Sequence, residues 1–266
     1  YSPEQAEAIT DREGTSLREA LEAIGYRGAA PVGSVAFSAM FELHIEQGPI
    51  LEAEGRTIGI VTGVQGMRWY DVTFTGRESH TGTTPMPLRR NALLGAARMV
   101  ERVDAIARAH APHAVGTVGM VEVRPNSRNV IPGEVFFTVD FRHPDATALD
   151  AMEAALQQAL AEVAGEIGLD CTHRRVTHNP PAVFDADCIE AVRTGTGQAG
   201  LSSREMLSGA GHDAAYIAAI APTAMIFVPC ADGLSHNEAE SATFEDCGAG
   251  AQVLLNAVLA YDARFA

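Results

Sequence analysis

The stretch WYDVTFTG, residues 69–76, decides how the middle of the chain folds. Tyr70, Val72 and Phe74 are apolar and the residues between them are polar, so the apolar side chains recur with a period of two. That period predicts a strand with one face in a core and the other face outside it. Residues 134–142, EVFFTVDFR, repeat the pattern and predict a second strand of the same kind.

Helices and further strands are predicted around these two strands. Apolar spacing predicts helices over 87–110 and 147–168, and short patterned runs predict strands over 114–124 and 170–177. The resulting order, β-α-β-β-α-β, is that of the split βαβ unit, an antiparallel sheet with both helices on one face. We therefore expect a ferredoxin-like α+β domain over residues 67–177.

The flanking sequence predicts a second domain that this α+β domain interrupts. Strands are predicted over 37–45, 58–64 and 223–228, and helices over 3–25, 187–199 and 243–260. The Asn179-Pro180-Pro181 breaker marks a boundary after the last strand of the inserted part. We expect a discontinuous α/β domain formed by residues 1–66 and 178–266, with the α+β domain inserted into it.

Composition excludes several classes of partner. A formal net charge of −15 argues against a nucleic acid partner, because phosphate backbones are bound by cationic surfaces. No apolar run is long enough to cross a bilayer and no signal peptide is recognisable, so we expect no membrane partner. The four cysteines form no CxxC pair, which favours reduced thiols and a cytoplasmic location.

Two histidines in polar, turn-forming sequence are candidate metal ligands. His44 follows an apolar strand in FELHIEQGP, residues 41–49, and His236 lies in GLSHNEAE, residues 233–240. Strand ends present ligands to clefts, and neutral imidazole is a good zinc ligand. Glu46 is placed to orient His44 or to bind substrate. The alternatives are a hydrogen-bonded structural histidine at 44 and a solvated loop histidine at 236.

A third histidine, His80, lies in ESHTGTTP, residues 78–85, after the first strand of the inserted part. Flanked by hydroxyl side chains and glycine, it is a candidate loop acid or a donor to a developing oxyanion. The alternative is an ordinary polar turn.

Further candidates lie in three short motifs. Asn129 is in a loop between strands, and Arg142 ends a strand in DFRH, residues 140–143, a combination suited to capturing a carboxylate. The alternative for Arg142 is a salt bridge to Asp140 or Asp145. The glycines of SGAGHDA, residues 208–214, precede a predicted helix and favour an anionic ligand, whereas a simple capping role for His212 is the alternative.

Taken in order, six motifs resemble those of the zinc-dependent amidohydrolases of the M20 peptidase superfamily: FELHIEQGP, ESHTGTTPM, NVIPG, DFRH, SGAGHDA and GLSHNEAE. The resemblance is greatest to the branch of N-carbamoyl-L-amino-acid hydrolases, allantoate amidohydrolases and bacterial beta-ureidopropionases, and it runs from Leu17 to Tyr261. It implies hydrolysis of the linear amide of an N-carbamoyl amino acid or ureido acid. It also implies two divalent metal ions (zinc, manganese, cobalt or nickel) and a homodimer formed through the inserted lid domain.

The resemblance implies a role for each candidate. His44 is implied as a ligand of one metal ion and His236 as a ligand of the other, while His80 reaches the partner subunit's site and stabilises an oxyanion. The implied substrate-binding residues are Gln47, Asn129, Arg142, Gly211 and His212, with the substrate carboxylate on Arg142.

The chain departs from the family pattern at its start. In the family an HxD segment, a bridging Asp and a Glu-Glu pair, which supply further ligands and the general base, lie upstream of the helical stretch with which this sequence begins. We therefore expect the chain to be the C-terminal part of a hydrolase. An aminoacylase or dipeptidase of the same superfamily, or a non-catalytic dimerisation or binding module, are the alternatives.

Overall fold

The computed structural model describes residues 2–11 and 13–264. Four residues lie outside the described residues: Tyr1, Arg12, Phe265 and Ala266. Arg12 falls within the helix predicted over 3–25, and all four fall within the limits predicted for the α/β domain. The chain divides into two compact units, one up to Ser38 and one from Ala39 onwards.

The first unit contains two short helices, α1 (Pro3–Glu7) and α2 (Leu17–Ala23), in place of the single helix predicted over 3–25. Each begins with a capping box, on Ser2 and Ser16. The second capping box starts a new helix, because the Ser16 hydroxyl accepts a backbone N–H that a continuous helix would bond internally.

Among the described residues, the second unit contains all of the strands, four long helices and two short ones. Its strands are β1 (Met40–Ile45), β2 (Ile58–Val64), β3 (Gly66–Thr75), β4 (Ser79–His80), β5 (Val115–Thr117), β6 (Val121–Arg124), β7 (Val130–Ile131), β8 (Glu134–His143), β9 (Asp170–Asn179), β10 (Ala182–Val183), β11 (Ser203–Ser208) and β12 (Thr223–Val228). Its helices are α3 (Ile50–Glu54), α4 (Ala92–Ala109), α5 (Ala146–Ile167), α6 (Ala186–Ala199), α7 (Asp213–Ile217) and α8 (Phe244–Asp262).

One sheet is mixed and is built around β12 and β2. Strand β12 pairs in parallel with β1 and antiparallel with β2, and β2 also pairs with β11 and β10. Apolar side chains of α6 and α8 form a core with one face of the sheet, including Val192 and Val253. Leu51 of α3 and Ala214 of α7 belong to a second core with Phe227 of β12. Every residue of β12 is buried, which explains the apolar run from Ala224 to Val228.

The other large sheet is antiparallel, with strands in the order β5-β8-β3-β9 and β6 also paired with β8. Helices α4 and α5 share one core with the alternating residues of β3 and β8 that the sequence identified, including Phe74 and Phe137. The helix predicted over 87–110 begins only at Ala92, because the Asn91 side chain caps it by accepting the N–H groups of Leu93 and Leu94. The strand predicted over 114–124 is two strands, β5 and β6.

A continuous two-stranded ribbon connects the two sheets. Strand β2 passes into β3 with only Gln65 between them, and β9 passes into β10 across Pro180 and Pro181. Val64 pairs with Ala182 on one side of this junction, and Met67 pairs with Asn179 on the other. The fold is therefore mixed α/β with distinct sheets that share a short junction. Over the described residues, no helix combines the length and the apolar character that crossing a bilayer requires.

Candidate functional site

His44 is near the end of β1, and one of its ring nitrogens already has a partner. Nδ1 lies 2.9 Å from the carbonyl oxygen of Ile45. Because a carbonyl oxygen only accepts, Nδ1 carries a proton, and in the neutral form of the ring Nε2 keeps its lone pair. This is the tautomer that a metal-binding histidine needs, with its orientation set by the backbone.

His212 lies against His44 and is buried. The ring centroids are 4.7 Å apart at an interplanar angle of 67°. His212 Nε2 lies 2.8 Å from the Ser208 hydroxyl, and Nδ1 lies 3.6 Å from a carboxylate oxygen of Glu42. Burial, with a smaller contribution from His44, lowers the pKa of His212 to about 4, so the ring is neutral at pH 7 and its contact with Glu42 is not an ion pair.

The capping role considered for His212 is not observed. His212 occupies the N-cap position of α7, but its side chain makes no capping hydrogen bond. The Glu42 carboxylate instead accepts the N–H of Ala214 at 2.8 Å. Glu42 therefore positions the start of α7 from across the sheet, a role that no local pattern in the sequence indicated.

His236 is held by a chain of hydrogen bonds that includes Gln47. Gln47 Nε2 donates to the Ser235 hydroxyl at 2.7 Å, and that hydroxyl donates to Glu240 at 2.7 Å. Glu240 also accepts the backbone N–H of His236 at 3.1 Å. These two hydrogen bonds hold the pKa of the Glu240 carboxyl below its usual value, with smaller electrostatic contributions from the imidazoles of His236 and His44. Both histidines thus lie within electrostatic range of one carboxylate.

Two of these positions have a backbone conformation that non-glycine residues seldom adopt. Gln47 has φ +57° and His236 has φ +55°. Residues held in this region cluster at functional sites, where surrounding contacts impose the conformation. Glu240, which sequence reasoning missed, provides such a contact for His236. Its only sequence signal is a carboxylate four residues after the histidine.

Glu46 does not orient His44. Its two carboxylate oxygens accept the N–H groups of Ile50 and Leu51 at 2.9 and 2.8 Å, and the residue is buried. Glu46 therefore binds the first two N–H groups of α3, whose N-cap position is Pro49, and fixes the turn that follows β1.

The described residues do not complete a metal site. Within residues 2–11 and 13–264, no group of three or more His, Cys, Asp or Glu side chains is arranged to hold an ion. Structural zinc takes four ligands and catalytic zinc takes three from the protein. The imidazoles of His44 and His236 are suitable donors, but this set alone does not fit a tightly held metal ion.

Arg142 connects the antiparallel sheet to the glycine loop before α7. Its Nε and Nη2 bond the Asp140 carboxylate, with a shortest distance of 2.7 Å, and its Nη1 donates to the carbonyl of Gly209 at 2.6 Å. The salt bridge considered from sequence is thus present with Asp140, whereas Asp145 caps α5. Arg142 and Gly211 both line a cavity of about 400 Å³.

His80 and Asn129 are brought together on the two-stranded sheet of β4 and β7. Thr81 donates its N–H to the carbonyl of Asn129 at 3.1 Å. His80 Nδ1 accepts the N–H groups of Gly82 and Thr83 at 3.0 and 3.2 Å. In the neutral ring the proton is therefore on Nε2, and the exposed His80 presents a donor to its surroundings.

These residues lie far from Arg142 within one chain. Strand β7 directly precedes the start of β8 at Glu134, whereas Arg142 is next to the last residue of β8. Eight residue steps along an antiparallel strand span about 26 Å. The candidates therefore fall into two separate places: His80 and Asn129 at one end of β8, and Arg142 with the glycine loop at the other.

Comparison with known proteins identifies relatives along almost the whole chain. The N-carbamoyl-L-amino-acid amidohydrolase of Rhizobium meliloti is 48% identical over 97% of this chain and 62% of its own length. The allantoate amidohydrolase of Escherichia coli K12 is 34% identical over 95% of this chain and 62% of its own length. The chain thus spans just under two thirds of each of these relatives.

Solved structures agree with the sequence relatives. An amidase of the hydantoinase/carbamoylase family from Burkholderia multivorans superposes with a TM-score of 0.91 and 54% identity, covering 98% of this chain and 64% of that one. The profile of peptidase family M20/M25/M40 matches residues 13–260, which confirms the resemblance seen in the six motifs. The chain therefore belongs to peptidase family M20/M25/M40.

Proposed function

We propose that this chain forms part of a metal-dependent amidohydrolase that cleaves the linear amide of N-carbamoyl amino acids or ureido acids. The observation that carries the proposal is Arg142, whose guanidinium lines a cavity beside the loop that leads to His212 and His44. A guanidinium in that position suits the acid end of such a substrate. The names of the relatives from Rhizobium meliloti and Escherichia coli agree with this substrate class.

The proposal assigns residues 67–177 to an inserted ferredoxin-like lid domain that forms a homodimer, and residues 1–66 and 178–266 to the catalytic α/β domain. Support comes from the antiparallel sheet with α4 and α5 in one shared core, and from the ribbon through which the chain enters and leaves that sheet.

The chemistry proposed for each residue follows from its hydrogen-bonding state. Arg142 exchanges its bond to the Gly209 carbonyl for the substrate carboxylate, and Asn129 and Gln47 contribute amide contacts. His80 donates Nε2–H to the oxygen of the amide carbonyl as negative charge develops there.

Two divalent ions, of zinc, manganese, cobalt or nickel, would polarise the amide and activate water when bound. His44 Nε2 and the imidazole of His236 are the proposed donors from this chain. Among the described residues, no third His, Cys, Asp or Glu side chain completes a ligand group with them. A cytoplasmic location is proposed as well, supported by the absence of any disulfide among the described cysteines.

His80 is proposed to act in the partner subunit's site. The length of β8 separates it by about 26 Å from the Arg142 end of the sheet, and its donor faces away from the backbone that holds it. A second chain is therefore needed to bring the two groups of residues together.

The experiment that tests this proposal uses heterodimers of the complete gene product. His80→Ala chains are paired with His236→Ala chains through two affinity tags, and ammonia release from N-carbamoyl amino acids is measured. If His80 acts across the interface, one of the two sites is intact, and the heterodimer recovers about half of the wild-type rate. A heterodimer as inactive as its parents contradicts the assignment.

The matched control pairs the double variant, His80→Ala with His236→Ala, with a wild-type chain. Action across the interface leaves both of its sites defective, whereas action within one chain leaves the wild-type site active. N-acetyl amino acids and dipeptides, assayed in parallel, test the aminoacylase and dipeptidase alternatives. Absence of all hydrolysis would favour the non-catalytic dimerisation or binding module.

A further inference from the structure

The cavity beside Arg142 has features that catalysis of amide cleavage does not explain. Five stretches of the chain line it: the junction of β2 and β3 at 64–67, Arg142 of β8, the connection from β9 to β10 at 179–183, the glycine loop at 209–211, and α7 with the turn after it. Its volume of about 400 Å³ is within the range of sites for small molecules. It thus extends from the Arg142 guanidinium to the ribbon between the two sheets.

The cavity wall is mostly apolar. Among the described residues that line it, Arg142 alone is charged, and most of the others are Ala, Val, Met or Pro. Val183 and Tyr216, which also line the cavity, are 84% and 66% exposed. Large apolar side chains that remain in water around a concave site mark a surface that an apolar group covers.

We propose that this cavity is the subsite for the side chain of the substrate, and that it selects N-carbamoyl amino acids with a branched or aromatic apolar side chain. The inference rests on the proposed function, since the carboxylate on Arg142 is what places the side chain in the cavity. It assigns the choice of substrate to Met67, Val183, Tyr216 and Ala219, which the motifs did not identify.

A polar substituent in place of the side chain fits this wall poorly. The second ureido group of a compound such as allantoate has several N–H donors and a carbonyl acceptor. The side chains that line the cavity offer it few partners besides the amides of Gln65 and Asn179 and the hydroxyl of Tyr216. Gln65 Nε2 already donates to the carbonyl of His113 at 3.1 Å, which leaves Gln65 Oε1 as an acceptor. Unpaired polar groups in such a site oppose binding, so apolar substrates are favoured.

The test is a titration that does not depend on turnover. N-carbamoyl-L-leucine, N-carbamoylglycine and allantoate are titrated into this chain by calorimetry. The leucine compound should bind at least tenfold more tightly than the glycine compound, since each methylene-sized group in an apolar pocket is worth roughly 10- to 200-fold. Equal affinities, or a preference for allantoate, would overturn the inference.

Substitutions of the residues that line the cavity test whether the substrate preference arises there. Ala219→Leu adds volume at an exposed lining position and should reduce the leucine-to-glycine preference at least tenfold. Met67→Ala enlarges the cavity and should move the preference towards N-carbamoyl-L-phenylalanine. Ala154→Leu, on an exposed face of α5 away from the cavity, is the matched control and should keep the wild-type preference. If Ala219→Leu does not alter the leucine-to-glycine preference, the substrate side chain does not bind in this cavity, and the proposal is contradicted.

The complete gene product separates failure of this inference from failure of the proposed function. If the complete gene product hydrolyses N-carbamoyl amino acids at rates that do not depend on side-chain size, the subsite is wrong and the amidohydrolase assignment stands. If it hydrolyses none of them while the calorimetric preference persists, the cavity binds apolar acids and the proposed reaction is wrong.

Discussion

The surroundings of His44 and of His80 differ in how each ring is held. His44 lies against the buried His212, which in turn contacts Ser208 and Glu42. His80 is exposed on a two-residue strand, and two backbone N–H groups hold it. The first arrangement depends on the packed core, whereas the second uses only the local backbone. A side chain of the second kind can be altered with little loss of stability, which suits a residue that contacts another molecule.

Replacement of His80 should therefore lower the activity strongly and leave the stability almost unchanged. In the complete gene product, His80→Ala should lower kcat about 10²- to 10³-fold, the usual cost of losing one oxyanion donor. The melting temperature should stay within a degree of the wild-type value, because the side chain is exposed. Steady-state kinetics and calorimetry measure both, with His173→Ala, an exposed histidine on β9, as the control. A large drop in melting temperature would remove the contrast between the two regions.

His212 should instead make stability depend on pH. Its pKa of about 4 in the folded chain is below the value near 6.5 of the unfolded chain, so the unfolded chain takes up the proton first as pH falls. The free energy of unfolding should decrease between pH 6.5 and pH 4 by on the order of 3 kcal/mol. Urea titrations at several pH values measure this. The pH-dependent decrease in the free energy of unfolding should be smaller in His212→Gln and unchanged in His80→Gln. If it is also unchanged in His212→Gln, another titrating group causes the decrease.

Glu240 should affect metal binding through its hold on His236. Glu240→Gln in the complete gene product should weaken zinc binding about 10- to 100-fold, as for other residues that orient a ligand. Competition with a chromophoric chelator measures the affinity. Glu238→Gln, two residues away in the same exposed loop, is the matched control. Equal affinities in the two variants would mean that the carboxylate does not position His236.

The smallest effect is expected at Ser127. Its hydroxyl donates to Asn129 Oδ1 at 2.9 Å and fixes which way the amide faces. Ser127→Ala should raise KM about 2- to 10-fold, the equivalent of one ordinary hydrogen bond, and leave kcat unchanged. Ser79→Ala, which removes a hydroxyl bonded to the Arg77 carbonyl, is the control. A fall in kcat without a change in KM would place Asn129 in the reaction and not in substrate binding.

The fold could be predicted where burial alone decides the conformation. Strands β2 and β12 have the bounds that their apolar runs predicted, because nearly every residue of both is buried. Strand β11 was missed, since only one of its six residues is buried and parallel pairing with β2 forms it. A strand that forms through pairing with a neighbouring strand need not show a pattern of apolar residues in its own sequence.

The candidate residues could be selected from the sequence, but their arrangement could not. Motif chemistry selected His44, His80 and Arg142, whereas the contact of His44 with His212 joins positions far apart in the chain. The role of Glu240 depends on the left-handed backbone of His236, which the structure around the loop imposes. Neither this contact nor the role of Glu240 can be predicted from the spacing of apolar residues along the sequence.

The ribbon between the two sheets brings residues far apart in the sequence to one point. Val64 and Ala182 are paired neighbours, so the ends of the intervening segment already meet where a hairpin would have its turn. A two-residue turn can in principle replace the whole antiparallel sheet without displacing β2 or β10.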